Sequence, residues 1–275
     1  MEDEGRGSQR YQQERDKDKT EYWRSVLNGE DKGLRIAQQR FGKMQAPPRC
    51  KLCRAPFAGP FVPILRLAGF KRWDLNQQLC RRCFGRVENH QGGAEIPVSV
   101  LYADIRGSTT IAETTSSVDF TRMLNQFYKV VTEAVDSEMG AIDHMAGDGI
   151  MVMWVPAFVD EHHPKHAIAA GRRILREFPD MATLPVGVGV HTGDAYVGVV
   201  GEDGARNFTV LGDTPNTVAR LSSAAGAGEL VMSEAAATAA GVETTDLQHV
   251  MLDLKGKSEP FPAWIERSAN VEETE

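Results

Sequence analysis

Four cysteines and two aspartates are the residues of this sequence whose types and spacing could do chemistry. Cys50-x-x-Cys53 and Cys80-x-x-Cys83 form two knuckles separated by 26 residues, and no other cysteine occurs in the chain. Two residues between thiolates let both sulfurs face one ion from a tight turn. Four thiolates then complete a tetrahedral zinc site that leaves no open position for catalysis, so the zinc would be structural. An iron–sulfur cluster or a redox dithiol would use the same ligands. Asp104 closes the apolar run VSVLYAD (98–104), and Asp148 lies in Ala-Gly-Asp-Gly just before IMVMWV. An acid at a strand end beside a glycine turn exposes its carboxylate and nearby carbonyls, and two such acids can hold hard cations such as magnesium. An Asp-Gly pair is equally an ordinary hairpin turn.

The elements that must position these groups follow from composition and period. Residues 1–20 are dense in charge and poor in apolar side chains, so a disordered tail is expected. Over 21–46 the apolar positions Trp23, Leu27, Leu34, Ala37 and Phe41 fall mostly at helical spacing. Asn28-Gly29 and Gly33 divide them into two short helices. The four-cysteine module occupies 47–90, and FVPILRLAGFKRWDLNQQ between its knuckles must fold as a strand or short helix. Gln91-Gly92-Gly93 reads as a linker. From 96 to 268 short apolar strands alternate with helices. One helix carries Val118, Leu124, Phe127, Val131 and Val135 on a single face. Residues 269–275 read as a frayed tail.

Charge is uneven. From Arg49 to Arg86 there are nine Arg or Lys against the single acid Asp74, whereas Val87 onward holds 12 basic and 28 acidic residues. Such asymmetry suits nucleic acid, anionic lipid, or the docking of two halves of one chain. Docking is the reading taken, and a nucleic-acid partner is not expected. The start MEDEGRGSQR lacks the apolar core of a signal peptide, and no run of about eighteen apolar residues occurs. A cytoplasmic protein without a membrane span is therefore expected. His162, His163 and His166 follow a strand at helical spacing, but no acid or cysteine completes a metal site. They read as a solvated helix N-terminus.

Five segments carry a resemblance. VSVLYADIRGSTTIAE (98–113) resembles the opening strand and first metal loop of class III adenylyl and guanylyl cyclases, and AIDHMAGDGIMVMW (141–154) their second metal hairpin. VGVGVHTGDAYVGVVG (186–201) is similar to their central HTG hairpin, NFTVLGDTPNTVARLSSAAGAGELVMS (207–233) to their signature helix, and LKGKSEPF (254–261) to their closing strand. The cysteine module resembles one found ahead of some bacterial cyclase domains. The resemblance implies an α+β, ferredoxin-like catalytic domain that works as a head-to-tail homodimer on a nucleoside triphosphate. It implies two Mg2+ or Mn2+ ions on Asp104, Asp148 and the Ile105 carbonyl. One would activate the ribose 3′-hydroxyl, and the other would grip the triphosphate. Asn216 would orient the ribose, Arg220 neutralise charge on the α-phosphate, and Lys255 bind the terminal phosphates, all three from the partner subunit.

The chain also departs from the family pattern. His144 stands where adenylyl cyclases place a base-selecting lysine, and Thr209 where its partner is commonly Asp. Gly187 replaces an arginine that many members aim at phosphate. ATP is the expected substrate. A pyrimidine nucleotide cyclase of antiphage defence (UTP or CTP) is the alternative, and a silent nucleotide- or nucleic-acid-binding regulator is the second.

Overall fold

A computed structural model describes residues 17–44, 48–73, 77–89, 92–178, 184–201 and 207–268. The expected tails at 1–16 and 269–275 lie outside the described residues. The chain divides into two compact units, one formed by Met1–Ile96 with Tyr196–Val210 and the other by Pro97–Ala195 with Leu211–Glu275.

The smaller unit begins with helix α1 (17–27), so the helical segment reaches back into residues expected to be disordered. Trp23, Val26 and Leu27 bury its inner face, and Trp23 stacks on Phe208 with ring centroids 6.2 Å apart. That aromatic anchor is a tertiary contact that local composition does not reveal. Gly29 at φ 74° ends the helix, as only glycine does without strain. Helix α2 (Lys32–Gly42) starts where the Asp31 carboxylate accepts from the Leu34 amide at 2.7 Å. Helix α3 (Val62–Leu67) is the short element expected between the knuckles, and α4 (Arg81–Asn89) follows the second.

Strand β1 (Gly92–Ile105) corrects the linker expectation: Gly92 and Gly93 belong to it. A Cβ on Gly93 would lie 2.4 Å from the Val197 carbonyl oxygen, so glycine is required by strand proximity and not by flexibility. The far end of β4 (Val186–Val200) and β5 (Asn207–Leu211) complete this unit. HTG (191–193) therefore lies inside a continuous 15-residue strand, and the hairpin is formed by β4 with β5.

In the larger unit the order is β2-β3-β1-β4-β6-β8-β7, with β2 (Ala141–Ala146), β3 (Gly149–Trp154), β6 (Glu229–Ser233), β7 (Gln248–Leu252) and β8 (Phe261–Arg267). The β4–β6 pair is parallel, while β1–β3, β2–β3, β6–β8 and β7–β8 are antiparallel. This mixed sheet with flanking helices is the α+β arrangement expected. All six residues of β3 are buried, as a strand covered on both faces requires. The helices are α5 (Ser108–Thr114), α6 (Ser117–Ser137), α7 (Pro156–Val159), α8 (His163–Glu177), α9 (Asp213–Ala224) and α10 (Glu234–Ala240). Helix α6 buries Phe127, Val131, Ala134 and Val135, but Val118 is 67% exposed. It sits in the first turn, two residues past the Ser116 cap.

The histidine expectation is corrected as well. Helix α8 does begin at His163, but that ring is buried and bonds the Ser99 hydroxyl at 2.8 Å, with burial pulling its pKa down to about 4. His166 pairs with Glu138 at 2.7 Å.

Candidate active site on the larger unit

The register of β1 against β3 sets Asp104 opposite Gly149, so Asp104 and Asp148 meet at adjoining strand ends. The Ile105 amide donates to the Asp148 carbonyl at 3.2 Å and ties the two loops together. Gly147 at φ 60° closes the β2–β3 hairpin. A Cβ on Gly149 would strike the Tyr102 hydroxyl at 2.2 Å, so the glycine lets that ring wall the carboxylates.

Burial raises the Asp104 pKa to about 6; Arg106 opposes this, and the Asp148 charge adds to it. Arg106 is ion-paired with Asp104, and the Ser108 hydroxyl donates to the Asp148 carboxylate. Tyr128 donates to the Gly147 carbonyl, and burial raises its pKa and that of Tyr102. Two carboxylates crowded together, with hydroxyl and carbonyl oxygens around them and only Arg106 to offset their charge, make a site short of positive charge. That is the donor set hard divalent cations take, so the residues present fit magnesium or manganese.

Arg106 was not singled out by the sequence, although DIRGS displays it. One guanidinium nitrogen donates to the Ser222 carbonyl at 3.1 Å, while Nε is buried without a partner among the described residues. A Cβ at Gly187 would lie 3.1 Å from that Nε. The missing side chain at 187 thus leaves the space the Arg106 guanidinium fills. The signal is invisible to spacing because it needs β1 and β4 to be neighbours.

Helix α9 turns Thr214, Pro215, Thr217, Val218, Leu221 and Ser222 inward, leaving Asn216 exposed and Arg220 half-buried. Arg220 packs against the turn after β7, where a Cβ on Gly256 would be 3.4 Å from its guanidinium, beside exposed Lys255. Asn216, Arg220 and Lys255 have no hydrogen bond or ion pair among the described residues, and none reaches Asp104 or Asp148. The structure therefore assembles two groups, the carboxylate pair and the α9 cations, without joining them in one chain. Lys257, unremarked in the sequence, is ion-paired with Asp213 and lowers its pKa.

A register shift between Ile142 and His144 bulges β2 and leaves His144 exposed. Its Nδ1 lies 2.6 Å from the Asp143 carboxylate. Thr209 lies half-buried on β5, in the smaller unit.

In that unit Cys50, Cys53, Cys80 and Cys83 are all buried, and their sulfurs lie within 4.8 Å of one another. The Cys53 and Cys80 sulfurs are 3.7 Å apart, too far for a disulfide. Hydrogen bonding with Cys50 pulls the Cys80 pKa down and pushes Cys53 and Cys83 up. Amides of Cys80 and Cys83 point at the Cys50 and Cys80 sulfurs at 3.3 and 3.4 Å, as they do around a thiolate-bound ion. The cluster fits a four-coordinate metal.

Residues 93–266 match the family described as the adenylate and guanylate cyclase catalytic domain. Over 167 residues the chain is 28% identical to an adenylate cyclase of Anabaena cylindrica, covering 56% of this chain and 33% of that protein. Over 149 residues it is 30% identical to adenylate cyclase 1 of Rhizobium meliloti (strain 1021), covering 50% of this chain and 22% of the relative. The chain thus spans a third or less of these relatives. The crystal structure of the guanylyl cyclase Cya2 superposes with a TM-score of 0.59 at 26% identity, over 64% of this chain and 93% of that one. The adenylyl cyclase CyaB from P. aeruginosa shares the fold, with a TM-score of 0.57 at 23% identity over 64% of this chain and 96% of its own.

Proposed function

The chain belongs to the adenylate and guanylate cyclase catalytic-domain family, and from that premise we propose that it converts a nucleoside triphosphate, with ATP first, into the 3′,5′-cyclic monophosphate and pyrophosphate. The observation that carries this reading is the pair Asp104 and Asp148, whose crowding calls for cations. Divalent ions held by these carboxylates and the Ile105 carbonyl would acidify the ribose 3′-hydroxyl and neutralise the triphosphate. Arg106 keeps Asp104 oriented, and its free Nε supports a role in place of the arginine absent at Gly187.

Homodimerisation is part of the reading. It is supported by Asn216, Arg220 and Lys255, whose side chains make no hydrogen bond or ion pair with the carboxylates or with any other group among the described residues. A second copy would bring its α9 to the first copy's metal loops. The ribose would then meet Asn216, the α-phosphate Arg220, and the terminal phosphates Lys255. The cysteine cluster would hold one structural Zn2+, and the reaction would run in the cytoplasm.

His144 bears on the base. A carboxylate only accepts, so Asp143 takes the Nδ1 proton of a neutral His144 and leaves Nε2 as an acceptor. That favours a base with an exocyclic amine at the recognised edge. Adenine, cytosine and guanine each carry one and uracil does not, which keeps CTP as the second reading among the pyrimidines, with Thr209 as the companion contact. Incubating the full chain with ATP, GTP, CTP and UTP, with Mg2+ or Mn2+, and identifying products by mass spectrometry tests both. Cyclic AMP is expected to dominate. Cyclic CMP would move the assignment to the second reading, and no cyclic product at all would overturn it.

A further inference from the structure

We propose that the cysteine-bearing unit is an anionic-membrane docking module, which sets helix α3 into the bilayer surface. The helix is held to its unit by Val62, which is buried, while Phe61, Ile64 and Leu67 recur every three residues on the outward side. They are 57%, 68% and 92% exposed. Three large apolar groups displayed together on a six-residue helix gain nothing for the fold. Each would be favoured to leave water at an apolar boundary. A proline precedes Phe61 and another precedes Ile64, so the display is stiff before any partner is met.

Beside this apolar ridge lies a cavity of about 250 Å³ lined by Phe57, Val62, Arg66, Phe70, Lys71 and Arg72. Three of its six lining residues are cations and none is an acid. Arg72 is braced over the Phe57 ring at 5.1 Å, so its charge is fixed and not merely solvated. The surrounding sequence from Arg49 to Arg86 carries nine Arg or Lys against the single Asp74. An apolar wedge next to a basic pocket matches the boundary of an anionic bilayer. There acyl chains and headgroup phosphates sit side by side.

Nucleic acid would use the cations but not the wedge. Its sequence-tolerant binding stacks bases on aromatic faces, and the two most exposed groups here, Ile64 and Leu67, are aliphatic. Among the described residues no helix is long and apolar enough to cross a membrane; the attachment proposed is to the surface of one leaflet. It does not depend on which nucleotide the larger unit takes.

The test is sedimentation of the full chain with vesicles of phosphatidylcholine alone or mixed with phosphatidylserine. Circular dichroism checks that each variant is folded. The wild-type chain is expected to bind the phosphatidylserine vesicles and to be released as salt rises. The Ile64→Ser/Leu67→Ser double variant should lose roughly tenfold or more in partitioning, and Arg66→Glu/Lys71→Glu should abolish the preference for phosphatidylserine. Equal recovery with both vesicle types would overturn the proposal. Undiminished binding by the serine variant would also overturn it, since charge alone would then suffice. Retention on duplex or single-stranded nucleic acid that displaces vesicles and survives the serine changes would assign the surface to nucleic acid instead.

Discussion

The two metal-ready clusters of this chain are built in opposite ways. Asp104 and Asp148 are supplied by strand ends of a sheet whose core is complete without them, formed by buried residues such as Val100, Leu101, Ile150, Val152 and Trp154. Cys50, Cys53, Cys80 and Cys83 are themselves the buried residues of their unit's knuckles, joined by only a few apolar neighbours such as Leu52 and Leu79. In the first case the fold makes the site, and in the second the site must make the fold. A hydrophobic core stabilises a sheet whether or not an ion is present. A small thiolate cluster leaves four crowded sulfurs that need a cation between them.

The largest expected effect falls on chemistry without touching the fold. Asp148→Asn should lower cyclase turnover by on the order of a thousandfold, while the far-UV dichroism and melting temperature stay near wild type. A variant that lost activity by unfolding would break the comparison. The converse holds for the cysteines. Cys53→Ser, or treatment with a chelator, should melt the small unit, at a cost of several kcal/mol, if the cluster holds the proposed metal. Limited proteolysis would then cut within 47–90 and leave a folded fragment spanning the larger unit. Loss of both units together would show that the sheet leans on the cysteine cluster after all.

Acid should sharpen the difference further. Burial holds His163 and His191 at about 4, against 6.5 when unfolded. Between these values the unfolded chain binds more protons, so the stability they lend is present above pH 6.5 and is lost as pH falls towards 4. Asp104, raised to about 6, works the other way in the metal-free protein and gains stability as pH falls. Two histidines outweigh one acid, so the larger unit should melt roughly 5 °C lower at pH 5 than at pH 7. His163→Gln should flatten that slope when unfolding is followed by calorimetry. Gly187→Ala is the smallest expected change. The new methyl would lie 3.0 Å from the Ala225 carbonyl oxygen and 3.1 Å from Arg106 Nε, so the guanidinium must shift slightly. Turnover should fall about tenfold through misplacement of Asp104, read as a lowered kcat with little change in KM for the metal–nucleotide complex.

The contrast also explains what could be read in the sequence. Cysteine spacing is local, and a CxxC knuckle announces a metal whatever surrounds it. Asp104 and Asp148 lie 44 residues apart and are unremarkable alone; five ordered motifs supplied their meaning. The strands at VSVLYAD, IMVMWV and VGVGVH and the helix from Val118 to Val135 followed from apolar periods. What escaped depends on contacts between distant segments. Arg106 sits against Gly187 on β4, His163 is buried and hydrogen-bonded with the Ser99 hydroxyl of β1, and Gly93 reads as linker unless β4 is known to pass 2.4 Å away. The continuous strand through HTG was missed for the same reason, since its glycines at 189, 193 and 198 serve close packing and not turning.

The most direct test mixes two inactive variants. Asp104→Asn removes the proposed metal ligand, and Arg220→Ala removes the α9 cation. In a homodimer with two shared sites, co-refolding equal amounts gives a heterodimer with one intact site, and roughly a quarter of wild-type cyclic nucleotide formation should return. A mixture as silent as either variant alone would contradict the proposal that the carboxylates of one chain work with the helix of another.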